Sequence, residues 1–252
     1  MRLLLDLGNT RLKWWAVAEG RLLGEGALAW TDATADGLDV AWAALPAPQA
    51  VYGASVVDAA REAVVVDGVR KRGADAVRWL RSPAEACGVR SAYAEPSRLG
   101  VDRFLGMVAA HAAGRSPCVL VGVGTALTLD ALRGDGQHLG GLIAPGPMLM
   151  QQSLLGATAR VRPERPGQVV ALADNTADAV ASGCWGACAA LVERFSASAA
   201  ARLGVEPVVL FGGGDAAPLR SLVERPGALF ADGVLRGLAV WSGTGLPPRN
   251  AD

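Results

Sequence analysis

The chain has 252 residues, of which 51% are hydrophobic, and 24 basic residues balance 24 acidic ones. This length and apolar content allow two modest domains or one large one, and the balanced charge gives no electrostatic argument for binding nucleic acid or an anionic membrane. No apolar run approaches the ~18–20 residues of a membrane span, and an acid in the first strand is untypical of a secretory signal. We therefore expect a cytoplasmic protein with no nucleic-acid or membrane partner.

The first predicted strand is an apolar run that ends in an acid. Leucines at 3–5 lead to Asp6, at a strand end of the kind where crevices of α/β sheets form. The small, polar or charged residues that follow are Gly8, Asn9, Thr10 and Lys13. Together they predict a cradle for phosphate, with Asp6 holding a hydrated metal ion. A simple hairpin turn is the alternative, because Gly-Asn is ordinary turn chemistry.

The rest of the first half predicts a mixed α/β pattern. After the first strand we expect antiparallel strands, then a weak helix, a strand, a helix capped by Asp58, a short strand, an irregular stretch and an apolar helix. The corresponding ranges are 13–17, 21–23 and 24–30, then 33–45, 50–56, 58–72, 77–80, 83–99 and 101–113.

The pattern restarts 116 positions later, from position 6 to position 122. A second apolar strand at 118–121 runs into a glycine turn with a small hydroxyl, formed by Gly122, Gly124 and Thr125. An internal repeat at half length predicts two similar halves, and we divide the chain into 1–115 and 116–252. The second copy has Gly122 where the first has its acid.

The second half continues with strands, a long helix and a third glycine turn. We expect strands at 127–132 and 139–144, a helix at 148–155, a polar loop at 160–167 and one long helix at 175–203. A strand at 208–211 runs into Gly212 and Gly213, and a short helix, a strand near 229, a helix at 232–241 and a tail at 247–252 complete the prediction.

Several of these stretches match a known family in order and spacing. They are 6–13, 99–103, 124–130, 140–146, 175–176 with 182–183, and 212–213. With them the chain resembles the type III pantothenate kinases, also called Bvg accessory factor-like proteins, over nearly its whole length. The GxDR stretch at 100–103 and the GGxIxPG stretch at 140–146 are together quite specific. The resemblance implies an α/β acetate and sugar kinase/Hsp70/actin-like fold, with two RNase H-like halves around an ATP cleft.

The resemblance also implies an activity. Such an enzyme transfers the γ-phosphoryl group of ATP to the primary hydroxyl of pantothenate, which makes 4′-phosphopantothenate in the first step of coenzyme A biosynthesis. Family members are homodimers that need Mg²⁺ with ATP and a monovalent cation, K⁺ or NH₄⁺.

Site residues follow from the same resemblance. Asp102 becomes the catalytic base; its alternative is a helix N-cap. The residues implied at ATP and its phosphates are Asp6, Gly8, Asn9, Thr10, Lys13, Gly124, Thr125, Gly212 and Gly213. The residues implied at pantothenate are Tyr93, Gly100, Val101, Asp102, Arg103 and Thr176. Structural alternatives remain: an aromatic anchor for Tyr93, a surface ion pair for Arg103, and turn, helix-start or strand-end roles for the threonines and the Gly212–Gly213 pair.

One position departs from the family pattern. The pattern DxGTAxTxD begins with an acid at the monovalent-cation site, and this chain has Gly122 there. Because glycine offers no side-chain oxygen, we expect weak or absent activation by K⁺ and NH₄⁺. Alternatively, Gly122 has a positive φ that an acid would occupy only with strain.

Three functional hypotheses follow. The first is an active pantothenate kinase. The second is a catalytically impaired relative that acts as a regulatory or interaction protein, which the glycine at 122 favours. The third is a kinase of the same fold that acts on another small hydroxyl compound, because fold alone does not determine substrate.

Overall fold

The computed structural model describes residues 1–158 and 165–244. Most of the expected loop at 160–167 and the expected tail at 247–252 lie outside these residues. The chain divides into two compact units, one made of Met1–Gly114 with the segment from Asp232 onward, the other of Arg115–Ala231.

The first unit is built on a five-stranded sheet in the order β3-β2-β1-β4-β5. β1 pairs antiparallel with β2, and β2 with β3, whereas β1, β4 and β5 run parallel. The strands are β1 (Arg2–Leu7), β2 (Arg11–Ala18), β3 (Arg21–Ala29), β4 (Ala50–Ser55), β5 (Val77–Trp79) and the small hairpin β6 (Glu85–Ala86) with β7 (Val89–Arg90). The helices are α1 (Ala35–Trp42), α2 (Ala59–Lys71), α3 (Val101–Ala112) and α7 (Gly233–Trp241), with a 3₁₀ turn at Pro96–Arg98.

Two details differ from the sequence-based expectation. The segments 21–23 and 24–30 form one strand, β3, because Gly24 and Gly26 continue the ladder opposite Ala16 and Trp14. The stretch expected to be irregular, 83–99, contains the β6–β7 hairpin and the 3₁₀ turn.

Side-chain alternation along β1 gives this unit two apolar layers. Leu3, Leu5 and Leu7 pack on one face with residues of α1 and α2. Leu4 packs on the other face with residues of α3 and α7. All four leucines are at most 1% exposed, so the register of β1 is strongly specified.

Helix α7 belongs to the first unit, although our division by sequence put it in the second half. Leu235, Leu238 and Ala239 of α7 are buried against Leu4 and Leu105. This apolar face joins α7 to the sheet and to α3, so the chain returns to the first unit after completing the second.

The second unit repeats the sheet topology in the order β10-β9-β8-β11-β12. β8 pairs antiparallel with β9 and parallel with β11, as β1 does with β2 and β4. The elements are β8 (Cys118–Val123), β9 (Ala126–Leu132), β10 (His138–Pro145), α4 (Pro147–Ala157), α5 (Thr176–Leu203), β11 (Val208–Gly212), α6 (Ala216–Leu222) and β12 (Gly227–Leu229). β8 begins and ends 116 positions after β1, so the predicted echo is confirmed.

The core of the second unit lies on one face of its sheet. Val119, Val121 and Val123 of β8 pack with Trp185 and Val192 of α5 and with residues of α6. The predicted long helix is confirmed: Asn175 is the N-cap of α5, and its side chain accepts a hydrogen bond from the backbone N–H of Asp178. In the part of the chain that the structure describes, no helix is long and apolar enough to cross a membrane.

Two glycines let other segments approach the turn after β8. A Cβ at Gly146 would lie 1.9 Å from the carbonyl oxygen of Gly124, and one at Gly213 would lie 2.2 Å from that of Val123. Gly213 also has a φ of +102°, which side chains of L-residues rarely allow. The turn is therefore enclosed by backbone on two sides. Packing and backbone conformation alone require glycine at position 213, whether or not a ligand binds there.

This packing predicts the effect of a methyl group. Gly213→Ala should lower the unfolding free energy by more than about 2 kcal/mol, because it combines left-handed strain with a backbone clash, and the melting temperature should drop by roughly 4 °C or more. Gly214→Ala is the matched control, because a Cβ there meets nothing within 4 Å. Equal melting temperatures for the two variants in calorimetry would contradict this packing.

Candidate active site

Asp6 lies on the face of the first sheet that α3 and α7 cover. It has the same parity along β1 as Leu4, which packs against those helices, and it is partly buried. Its partner across the antiparallel ladder is Lys13 of β2. Because directly opposed residues point to the same face, the acid and the lysine lie side by side.

Asp232, at the start of α7, is a second acid beside Lys13. Its Oδ1 lies 3.2 Å from Nζ of Lys13, with 18% of its side chain exposed against 32% for the lysine. Sequence reasoning missed this residue, because 219 positions separate it from Lys13.

Asp102 stands in the first turn of α3. The N-cap of that helix is Gly100, and it makes no side-chain capping bond, so the alternative that Asp102 is the N-cap is wrong. A Cβ at Gly100 would meet Oδ1 of Asp102 at 2.6 Å, which shows that the carboxylate folds back over the glycine. Gly100 therefore makes the room in which the Asp102 carboxylate sits, at the helix end that favours negative charge.

These groups act on one another electrostatically. Burial raises the pKa of Asp6 to about 7; Lys13 opposes the rise, and the carboxylates of Asp102 and Asp232 add to it. Three acids with one lysine form a cluster that a further cation would stabilise.

The donor set fits Mg²⁺ delivered with a nucleotide. Among residues 1–158 and 165–244, no group of three or more His, Cys, Asp or Glu side chains is arranged to hold a metal ion alone. Mg²⁺ in nucleotide enzymes typically uses one or two carboxylates and completes its shell with water and phosphate oxygens. Asp6 is the acid best suited to this role, because its carboxylate is desolvated and has acidic neighbours.

The turn that follows β1 is closed by its own backbone and by a tryptophan. The N–H of Gly8 donates to the carbonyl of Arg11 at 3.2 Å, and Nε1 of Trp30 donates to the carbonyl of Gly8 at 2.8 Å. A Cβ at Gly8 would make only an ordinary 3.5 Å contact, so packing does not require glycine there. Asn9 and Thr10 are exposed at the tip.

Arg103 and Tyr93 form a contact pair beside Asp102. Nη1 of Arg103 donates to Oη of Tyr93 at 3.1 Å, and the guanidinium carbon lies 5.8 Å from the centre of the ring. Arg103 is 8% exposed, so it is not the surface ion pair considered as its alternative. Val101 is 6% exposed, and its side chain is part of the core against α3 and α7.

Gly122 occupies in β8 the place that Asp6 has in β1, the fifth of six residues. It is not among the glycines with positive φ, so the alternative that backbone strain excludes an acid there is wrong. A Cβ at Gly122 would lie 2.5 Å from Oγ1 of Thr128, its ladder partner on β9. A side chain at 122 therefore requires that hydroxyl to rotate away.

The other predicted residues of the second unit lie at its turns and at one helix start. Gly124 and Thr125 form the turn between β8 and β9, where Thr125 is exposed and a Cβ at Gly124 would meet nothing within 4 Å. Gly212 ends β11 beside Gly122, and Gly213 follows it. Thr176 is exposed and opens α5.

Two residues of this site carried no signal in the sequence. Asp232 reads there as an ordinary helix start, and Trp30 reads as the end of a strand. Their roles depend on tertiary contacts with Lys13 and Gly8. Only the resemblance between the GNT turn and phosphate-binding turns could have directed attention to what touches Gly8.

Comparison with known proteins places these features in a family. A family model described as type III pantothenate kinase matches residues 2–198. The type III pantothenate kinase of Xanthomonas oryzae pv. oryzae (strain PXO99A) is 42% identical over 247 residues, which cover 97% of this chain and 98% of that protein. The type III pantothenate kinase of Xanthomonas campestris pv. campestris (strain 8004) is 43% identical over 241 residues, 95% of this chain and 96% of that one.

Solved structures agree on the fold. A protein from Sinorhizobium meliloti described as a 2-dehydro-3-deoxygalactonokinase superimposes with a TM-score of 0.60 at 14% identity, over 100% of this chain and 99% of that one. The two units also repeat one sheet order. The chain therefore has the expected acetate and sugar kinase/Hsp70/actin-like fold. Since both the family model and relatives above 40% identity span most of its length, the chain belongs to the type III pantothenate kinase family.

Proposed function

We propose that the chain transfers the γ-phosphoryl group of ATP to the primary hydroxyl of pantothenate, forming 4′-phosphopantothenate at the start of coenzyme A biosynthesis. Membership of the family supports the substrate. The observation that carries the chemistry is the meeting of Asp6, Lys13 and Asp102 on one face of the first sheet. Phosphoryl transfer needs mainly positioning and charge stabilisation, and a carboxylate that accepts a proton.

The phosphates of ATP bind, in this proposal, at the turn after β1. Lys13 neutralises phosphate charge, and the small side chains of the turn formed by Gly8, Asn9 and Thr10 let phosphate oxygens approach its backbone. Asp6 would hold Mg²⁺ through water, and the ion would supply neutralisation of charge on the phosphate oxygens. We assign Gly124, Thr125, Gly212 and Gly213 to ATP as well. Gly124 is the strongest of these assignments, because packing gives it no other reason to be glycine.

Asp102 is the general base of the proposed reaction. Its carboxylate takes the proton of the pantothenate hydroxyl as that oxygen bonds to the γ-phosphorus and the bond to the ADP oxygen breaks. Arg103 and Tyr93, which already touch each other, bind the carboxylate and polar groups of pantothenate. Gly100, Val101 and Thr176 are assigned to the same substrate; for Val101 this concerns the backbone, because its side chain is in the core.

The competing hypothesis is a relative with impaired catalysis and a regulatory role. Gly122 favours it, because the position lacks a charged ligand for a monovalent cation. The intact cluster of Asp6, Lys13 and Asp102 favours activity instead. A same-fold kinase for another small hydroxyl compound would use the same cluster, so it is separated only by assays with different acceptors.

We further propose a homodimer, located in the cytoplasm where its phosphoryl donor ATP is available. The second unit has an edge strand, β10, with Leu142 and Ile143 exposed by 43% and 64%, and Met148 of α4 is exposed by 46%. A concentration of large apolar side chains around an unpaired strand edge is typical of a protein interface.

Asp102→Asn should lower pantothenate-dependent ADP formation by ~10²–10⁴-fold with the fold intact, because the amide cannot accept the proton. Asp36→Asn is the matched control: it makes the same change at the same position of helix α1, whose core contacts lie on the opposite face of the sheet. Turnover of folded Asp102→Asn within a few-fold of wild type would show that Asp102 is not the general base.

Asp6→Asn should change how stability depends on pH in the nucleotide-free protein. Between the ordinary Asp pKa of 3.8 and about 7, the folded state keeps a proton that the unfolded state has lost, so wild-type stability falls as pH rises through this window. The variant should lack this fall and melt several degrees above wild type at pH 8, with little difference near pH 4. Parallel melting curves from pH 4 to 8 would show that Asp6 titrates normally.

Ile143→Lys should shift the protein from dimer toward monomer, because a charge at the edge of β10 opposes apolar burial. Light scattering should give twice the 25.8 kDa chain mass for wild type. Val40→Lys is the control, since that valine is 78% exposed on α1 of the other unit. A wild-type mass of one chain at all concentrations would refute the dimer.

Potassium should activate the wild-type enzyme weakly or not at all, and Gly122→Asp should create or strengthen the activation by adding a charged oxygen ligand. Gly122→Asn shares the contact with Thr128 and lacks the charge, so the difference between the two variants isolates electrostatics. Strong potassium activation of the wild type would show that other groups build the cation site.

A further inference from the structure

Lys13 has a fixed partner in the first unit. Its Nζ lies 3.2 Å from Oδ1 of Asp232, and both side chains are mostly buried. A lysine has a long, flexible stem that loses rotamer freedom when it is ordered. A partly buried carboxylate at this distance holds the ammonium in one place before any ligand arrives.

The backbone at Asp232 is suited to this contact. The residue has φ 54° and ψ 33°, in the left-handed region, and its side chain makes no capping bond to α7 although it occupies the N-cap position. N-cap aspartates usually bond to the first turn of their own helix. Here one carboxylate oxygen lies beside Lys13 instead.

The position of Asp232 is fixed by packing. Leu235 and Leu238, on the first turns of α7, are 1% and 0% exposed against the sheet and α3. The start of α7 therefore cannot shift without disturbing a core, so packing holds the backbone of Asp232 in place.

We propose that Asp232 is a positioning residue, which holds Lys13 in the orientation that contacts the transferred phosphoryl group. This inference rests on the proposed function, in which Lys13 binds phosphate. Asp232 acts through Lys13 at the chemical step, where a displacement of about 1 Å can reduce the rate by ~10²-fold. Its effect therefore falls on kcat more than on the KM for ATP.

The sequence allows a direct spectroscopic test. The chain contains two lysines, Lys13 and Lys71, and Lys71 pairs with exposed Asp36 at 2.7 Å. In protein labelled with ¹³C-lysine, Asp232→Asn should shift the Lys13 side-chain signal and increase its mobility, leaving Lys71 unchanged. Asp36→Asn should do the reverse. A Lys13 signal identical in wild type and Asp232→Asn would overturn the proposal.

Kinetics then test whether Asp232 acts through the lysine. Asn tolerates the left-handed region as Asp does, so Asp232→Asn removes the charge without new strain; Asp232→Gly is a second variant with the same tolerance. We expect a kcat loss of about tenfold or more, with the KM for ATP changed less than about threefold. In a Lys13→Met background the same substitution should cause no further loss. An equal loss of kcat in both backgrounds would overturn the proposal. A kcat of Asp232→Asn equal to that of wild type would overturn it as well.

Glu19→Asn is the matched control for this substitution. Glu19 is also an acid with positive φ, in the exposed turn after β2, and it lies six positions after Lys13, roughly 20 Å away along the strand direction. Its kcat should equal that of wild type. Failure of the wild type to phosphorylate pantothenate would reject the proposed function alone, because the Lys13 signal tests the contact with Asp232 without turnover.

Discussion

A carboxylate partly buried on the inner face of a sheet is the constraint around which the first unit is arranged. The alternation along β1 that buries Leu3, Leu5 and Leu7 on one side sends Asp6 to the other, beneath α3 and α7. An ionised acid in such a place is unfavourable unless cations or donors compensate it. Lys13 is the protein's own compensation, and it is set opposite Asp6 by the ladder register.

Two further acids belong to this cluster. Asp102 and Asp232 enter it from two helix starts, and both add to the rise in the pKa of Asp6. In the proposed function, Mg²⁺ would supply the positive charge that an ionised Asp6 needs, and the pKa of Asp6 would fall when the ion binds.

Much of this could be predicted from the sequence where the signal is local. The two strand-and-turn copies, the long helix α5 and the cap of α2 at Asp58 follow from apolar runs, glycines and a capping side chain, and the structure confirms them. Tertiary contacts were out of reach. The return of α7 to the first unit depends on which core its leucines join, and that contact is what brings Asp232 to Lys13.

The roles of the glycines also depend on tertiary contacts that the sequence does not reveal. In the sequence, Gly124 and Gly213 are equivalent candidates for contact with ATP. In the structure, Gly213 is required by a positive φ and by the approach of Val123, whereas a Cβ at Gly124 would meet nothing within 4 Å. From the sequence, backbone strain could explain why position 122 is glycine and not an acid. The φ of Gly122 excludes that explanation.

In the proposed function, Asp6 anchors the metal–nucleotide complex in the first unit. Binding of the preformed Mg·ATP complex can be followed by titration calorimetry in the absence of pantothenate. The wild-type protein should bind Mg·ATP at concentrations where Asp6→Asn leaves most of it free. Equal affinities of wild type and a folded Asp6→Asn variant for Mg·ATP would show that Asp6 does not anchor the complex.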